Sequence, residues 1–113
     1  MWKHLETSDE LRDLVDQSHG KPAVIYKHSS RCGTSFFVRK RLEMDWSFED
    51  GEIDIYFLDL IKHRDLSDEV SRIFGVRHES PQILVIRDGE AVFDTSHGGV
   101  SVKAIKSALG NGH

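Results

Sequence analysis

Residues 26–35 read YKHSSRCGTS, and they contain Cys32, the one cysteine of the chain. On the N-terminal side lies KPAVIYKHS, residues 21–29. This run of branched and aromatic residues is too short for a helix and nearly continuous in its apolarity, the pattern of a strand buried on both faces. On the C-terminal side, from Gly33 or Thr34, apolar Phe36, Phe37, Leu42 and Trp46 recur with basic residues between them, and the pattern ends near EDG at 49–51. The thiol therefore stands where a strand gives way to a helix. A helix start presents unpaired N–H groups and about half a positive charge, which favours thiolate over thiol. Lys27, Arg31 and Arg39 are close in sequence and add cations, so Cys32 is expected to titrate below the ~8.5 of a free thiol and to act as a nucleophile. The competing reading is an inert buried thiol.

The rest of the chain continues the alternation. TSDELRDLVDQSH (7–19) places Leu11, Leu14 and Val15 at helical spacing, with Thr7 or Ser8 as N-cap and Gly20 as terminator. EIDIYFLDLI (52–61) reads as a second strand, and DLSDEVSRIFGV (65–76) as a helix with Leu66, Val70, Ile73 and Phe74 on one face. SPQILVIRDGEAVFDTS (80–96) is two apolar runs around an Asp-Gly pair, the signature of an antiparallel hairpin. SVKAIKSALG (101–110) closes the order as a helix facing inward through Val102, Ile105 and Leu109. The expected architecture is α/β: a mixed four-stranded sheet flanked by helices on both faces, in one domain spanning 1–113.

Composition narrows the function classes. The 113 residues carry 15 Lys plus Arg against 19 Asp plus Glu, a net charge of −4, which gives no global positive field to hold nucleic acid. The longest apolar run is interrupted by Asp59 and falls short of the roughly 20 residues a spanning helix needs, so no membrane crossing is expected. MWKHLETSDE at the N-terminus lacks the apolar core of a secretory signal, and a cytoplasmic location is expected. There a lone thiol stays reduced and forms a disulfide only with another molecule.

This order, with Cys32 at the first position and Ser35 at the last of a C-x-x-C-like motif, resembles the thioredoxin fold. More narrowly, YKHSSRCGTS, SPQILVIRDGEAV and TSH (95–97) together resemble the monothiol bacilliredoxins of the YtxJ type, with KHS at 27–29 the most specific part. Members commonly carry Pro where this chain has Gly33, and a polar residue near Gly99. The resemblance implies a thiol–disulfide oxidoreductase that removes bacillithiol from S-bacillithiolated client proteins through Cys32. Bacillithiol is then the co-substrate, no cofactor is tightly bound, and a low-molecular-weight thiol releases the adduct. It implies a cis-Pro beside the reactive cysteine, a role carried here by Ser80 and Pro81; otherwise Pro81 simply starts a strand. Ligand contacts are expected from Lys27, His28, Arg31, Gly33 and Thr34.

Ser35 either hydrogen-bonds the Cys32 thiolate or only satisfies a first-turn N–H. His28 either tunes the thiol or is a surface residue at a strand end. His97, Gly98 and Gly99 either leave N–H groups open to the dicarboxylic malyl group of bacillithiol or form a plain loop. The other histidines lack ligand spacing, so no protein-only metal site is expected. Two alternatives from other classes remain. CGTS is close to the C-G-F-S of monothiol glutaredoxins, which bridge a [2Fe-2S] cluster, and a thioredoxin-like adaptor would need no thiol chemistry.

Overall fold

The computed structural model describes residues 2–31 and 33–110. Strands β1 (Trp2–His4), β2 (Ala23–His28), β3 (Asp54–Asp59), β4 (Gln82–Arg87) and β5 (Glu90–Ser96) alternate with helices α1 (Ser8–Gln17), α2 (Gly33–Asp45), α3 (Arg64–Phe74) and α4 (Val102–Gly110). The strands form one sheet in the order β1-β3-β2-β4-β5. β1, β3 and β2 run parallel, and β4 and β5 are antiparallel to their neighbours. The sheet thus has five strands where the sequence pattern gave four. β1 is three residues long and buries no side chain fully, so it carries no periodic apolar signal; its pairing with β3 is what makes it a strand.

Alternation along β2 divides the core. Ala23 and Ile25 face Leu11 and Leu14 of α1 and Leu66 and Val70 of α3, while Val24 and Tyr26 face Val38 and Leu42 of α2 and Ile105 of α4. The local rules that set the ends are visible. Thr7 and Glu10 form a reciprocal capping box on α1. Gly75 closes α3 in the left-handed conformation, and Asp88-Gly89 turns the hairpin with φ of 54° and 77°. No helix among the described residues is long and apolar enough to cross a membrane.

Two inward faces differ from the sequence pattern. In α2 the buried stripe is Ser35, Val38 and Leu42, which leaves Phe36 54% and Phe37 72% exposed. Neighbouring residues on a helix diverge by about 100°, so the pair cannot share that stripe. The helix also ends at Asp45, and Trp46 packs from beyond it on Phe48 and Trp2. In α3, Ile73 is likewise exposed.

Candidate active site

Strand register brings one group of sequence-distant residues to a single end of the sheet. β2 finishes at His28, beside Lys27, which pairs with Gln82 at the start of β4; Gln82 in turn pairs with Ser96 at the finish of β5. Ser80 and Pro81 therefore enter the sheet where His28 and Ser29 leave it, and His97–Gly99 forms a short 3-10 turn at the same edge. The Ser80–Pro81 peptide bond is cis. Pro81 is buried, and its carbonyl accepts the His97 N–H at 2.9 Å. His97 has a positive φ of 52°, and its Nε2 lies 3.4 Å from Glu79 Oε2. Helix α2 starts at this end too, and Arg41 ties it to the turn by donating to the Val100 carbonyl at 2.9 Å.

Cys32 lies outside the described residues. Its neighbours in sequence, Arg31 and Gly33, are exposed, as is Thr34, and α2 begins at Gly33. The space where a Gly33 Cβ would stand is open. Ser35 is fully buried, and it is held from two sides. The Ser29 N–H donates to its Oγ at 3.4 Å, and the Tyr26 hydroxyl donates to its carbonyl at 2.9 Å. Because Ser35 Oγ accepts from Ser29, its own proton is left to donate elsewhere. Tyr26 lies at the candidate site through this bond, and the sequence pattern does not single it out. Its apolar neighbours made it read as core, although a buried tyrosine hydroxyl needs a polar partner and so was the available signal.

His28 is buried and is not a surface residue. Its ring centroid is 4.9 Å from Phe57, its Nδ1 is 3.5 Å from the Tyr26 hydroxyl, and the Arg39 guanidinium stands 4.5 Å over Phe57. Burial first, and then the Arg39 charge, push the His28 pKa below its ordinary 6.5, with Asp59 opposing. The imidazole is neutral at pH 7. The unfolded chain takes up this proton near pH 6.5 and the folded one only lower, so the contribution to stability present above pH 6.5 is lost as pH falls. Ser80 Oγ is buried with no hydrogen-bond partner among the described residues.

Lys27 corrects an expectation. It alternates with His28 along β2, so its side chain enters the opposite core, fully buried. The ammonium donates to the Ser67 carbonyl at 3.1 Å and Ser71 Oγ at 2.8 Å, and lies 3.3 Å from His78 Nδ1. It is thus enclosed beneath α3 and offers no ligand contact on the His28 face. Burial lowers its pKa from 10.5 to about 8, with Asp68 opposing. Between those two values the unfolded chain binds the extra proton, so stability rises with pH, by on the order of 3 kcal/mol across the window. Urea unfolding of wild type and Lys27→Met from pH 7.5 to about 10 should show the rise in the wild type only; parallel pH curves would contradict the assignment.

The glycines of the 3-10 turn differ in what they require. A Cβ on Gly98 meets nothing, whereas one on Gly99 would run into Thr95 Oγ1. Gly99 is therefore set by the close approach of β5, and any side chain at this position would displace Thr95. The better-formed clefts lie elsewhere: one of about 390 Å³ joins the starts of α1 and α3, and one of about 430 Å³ lies between Phe48, Arg87 and Leu109. Neither includes a candidate residue. Among the described residues no three His, Cys, Asp or Glu side chains cluster as metal ligands.

Solved structures with this architecture are thioredoxin-like. A protein described as a candidate oxidoreductase with a thioredoxin fold is 27% identical, with a TM-score of 0.79 over 96% of this chain and 93% of that chain. Thioredoxin of Malassezia sympodialis matches with TM-score 0.75 at 13% identity, covering 98% and 90% of the two chains. Thioredoxin of Schistosoma mansoni matches with TM-score 0.74 at 16% identity, covering 97% and 94%. The last two show the fold alone. The monothiol bacilliredoxin BrxC family matches residues 3–105, and the chain belongs to that family of thiol oxidoreductases.

Proposed function

We propose that this protein removes bacillithiol from S-bacillithiolated client proteins in the cytoplasm, with Cys32 as the nucleophile. The observation that carries the reading is the convergence of Pro81, the buried Ser80 hydroxyl, which has no partner among the described residues, and the His97–Gly99 turn at the end of the sheet where α2 begins, one residue after Cys32. The Cys32 thiolate attacks the bacillithiol sulfur of the client disulfide. The Cys32–bacillithiol bond forms, the client disulfide breaks, and the client cysteine leaves as a thiolate that takes a proton from water. Backbone beside Pro81 pairs with the extended chain of the bound thiol. Ser80 Oγ and the N–H groups of the 97–99 turn meet its polar groups, Arg31 faces its malyl carboxylates, and the free proton of Ser35 Oγ supports the thiolate.

With one cysteine there is no internal thiol to expel the adduct. A second bacillithiol must attack the adduct sulfur, releasing bacillithiol disulfide and the Cys32 thiolate; a flavin-dependent NADPH reductase returns that disulfide to thiol. Client release should therefore stop near one equivalent per protein without free thiol and continue for many turnovers once bacillithiol is added. Multiple turnover with no thiol present would contradict the monothiol cycle.

A further inference from the structure

Helix α2 carries a surface that nothing among the described residues covers. Phe36 and Phe37 are 54% and 72% exposed and stack edge to face with centroids 5.6 Å apart. Phe36, Lys40 and Met44 succeed one another at four-residue spacing, so they form one ridge. Met44 is 81% exposed, and Lys40 Nζ is 6.0 Å from the Phe36 ring centroid. Single exposed apolar residues are ordinary, but two adjacent phenyls and a methionine on one helix make a contiguous patch. Aromatic and methionine side chains are also enriched where proteins meet proteins.

Charge and position indicate the occupant. Over residues 31–45, which span the ridge, Arg31, Arg39, Lys40 and Arg41 stand against Glu43 and Asp45, a local excess of positive charge in a protein whose net charge is −4. Arg41 is engaged with the Val100 carbonyl and Arg39 faces Glu43 at 3.7 Å. Lys40 and Arg31 have no carboxylate partner among the described residues, and both are exposed. A second copy docked about a twofold axis here would bring this basic stretch against itself, which is unfavourable. An acidic, apolar segment would find complementary charge and a ring pair to cover.

We infer that the Phe36–Phe37–Lys40 surface is the docking site for client protein: an extended segment flanking the thiolated cysteine, with an apolar side chain on the phenyl pair and a carboxylate on Lys40. This rests on the deprotection reading, because Phe36 follows Cys32 by four residues and lies one helical turn into α2.

The experiment compares wild type, Phe36→Ser/Phe37→Ser and Lys40→Glu on two substrates, with free bacillithiol present. One is a bacillithiolated peptide bearing Phe and Asp beside its cysteine; the other is a small mixed disulfide of bacillithiol with a chromogenic aromatic thiol. The double variant should lose about tenfold or more in kcat/KM on the peptide and stay within about twofold on the small disulfide. Lys40→Glu should lose less, and should regain rate on a peptide with Lys in place of Asp. Equal loss on both substrates, or no loss on the peptide, would overturn the docking site. So would a concentration-dependent wild-type dimer that the double variant turns into a monomer, since a second copy would then be the occupant. A wild type inactive on both substrates would fail at the deprotection reading itself, a pattern distinct from loss confined to the peptide variants.

Discussion

Replacing Cys32 with Ser should reduce deprotection of a bacillithiolated client to the uncatalysed background, a loss on the order of a thousandfold or more. The nucleophile in disulfide exchange is a thiolate. A serine hydroxyl keeps its proton at neutral pH, and no second thiol in the chain can take over, because Cys32 is the one cysteine. The described hydrogen bonds of the flanking scaffold run between other residues: Ser29 N–H to Ser35 Oγ, the Tyr26 hydroxyl to the Ser35 carbonyl, and His97 N–H to the Pro81 carbonyl. The Cys32→Ser protein should therefore unfold at the same urea concentration as the wild type while releasing no client thiol. A variant that is both inactive and unfolded would leave the chemistry unassigned to the sulfur, so the two measurements belong together. Activity retained in a folded variant would contradict the nucleophile assignment.

The second large effect concerns the fold. Leu84 is fully buried in the central part of the sheet, opposite Ile25 on β2, in the cluster that α1 and α3 cover. Leu84→Ala should cost about 2–5 kcal/mol, from lost apolar burial and the cavity left behind. For a domain whose total stability is typically about 5–15 kcal/mol, that is a large share. The urea midpoint should fall with the slope unchanged, since the folded surface is the same. A loss under about 1 kcal/mol would mean that the surrounding strands collapse into the space, contrary to a tightly packed central sheet.

What the sequence made legible follows from how local each signal is. The strand before Cys32, the helix after it, the Asp-Gly hairpin and the capped first helix all rest on patterns within about fifteen residues, and the structure has each of them. β1 was not legible because its three residues are defined by pairing with Ile55, Tyr56 and Phe57, far along the chain. The inward face of α2 is not legible for another reason. Its apolar residues are spread around the helix, and only packing against the sheet selects Val38 and Leu42 over Phe36 and Phe37.

The site divides in the same way. The meeting of Ser80, Pro81 and His97 follows from antiparallel register between strands, which no local pattern shows. Sequence distance alone puts Lys27 near the thiol, whereas strand alternation sends it to the other core. His28, one residue on, goes to the α2 side, packs on Phe57 and comes within reach of Tyr26. A period of two therefore sends two residues adjacent in the chain, Lys27 and His28, to opposite faces of the sheet. Tyr26 became visible as a site residue only through the carbonyl of Ser35, nine positions away.

The most direct test of the central claim is intact-mass analysis of an equimolar mixture of this protein and a bacillithiolated client, with no free thiol present. The account predicts that one bacillithiol moves from client to this protein, that fragmentation places it on Cys32, and that the Cys32→Ser protein gains none. A client that keeps its bacillithiol beside the wild-type protein, or an adduct found on any residue other than Cys32, would contradict it.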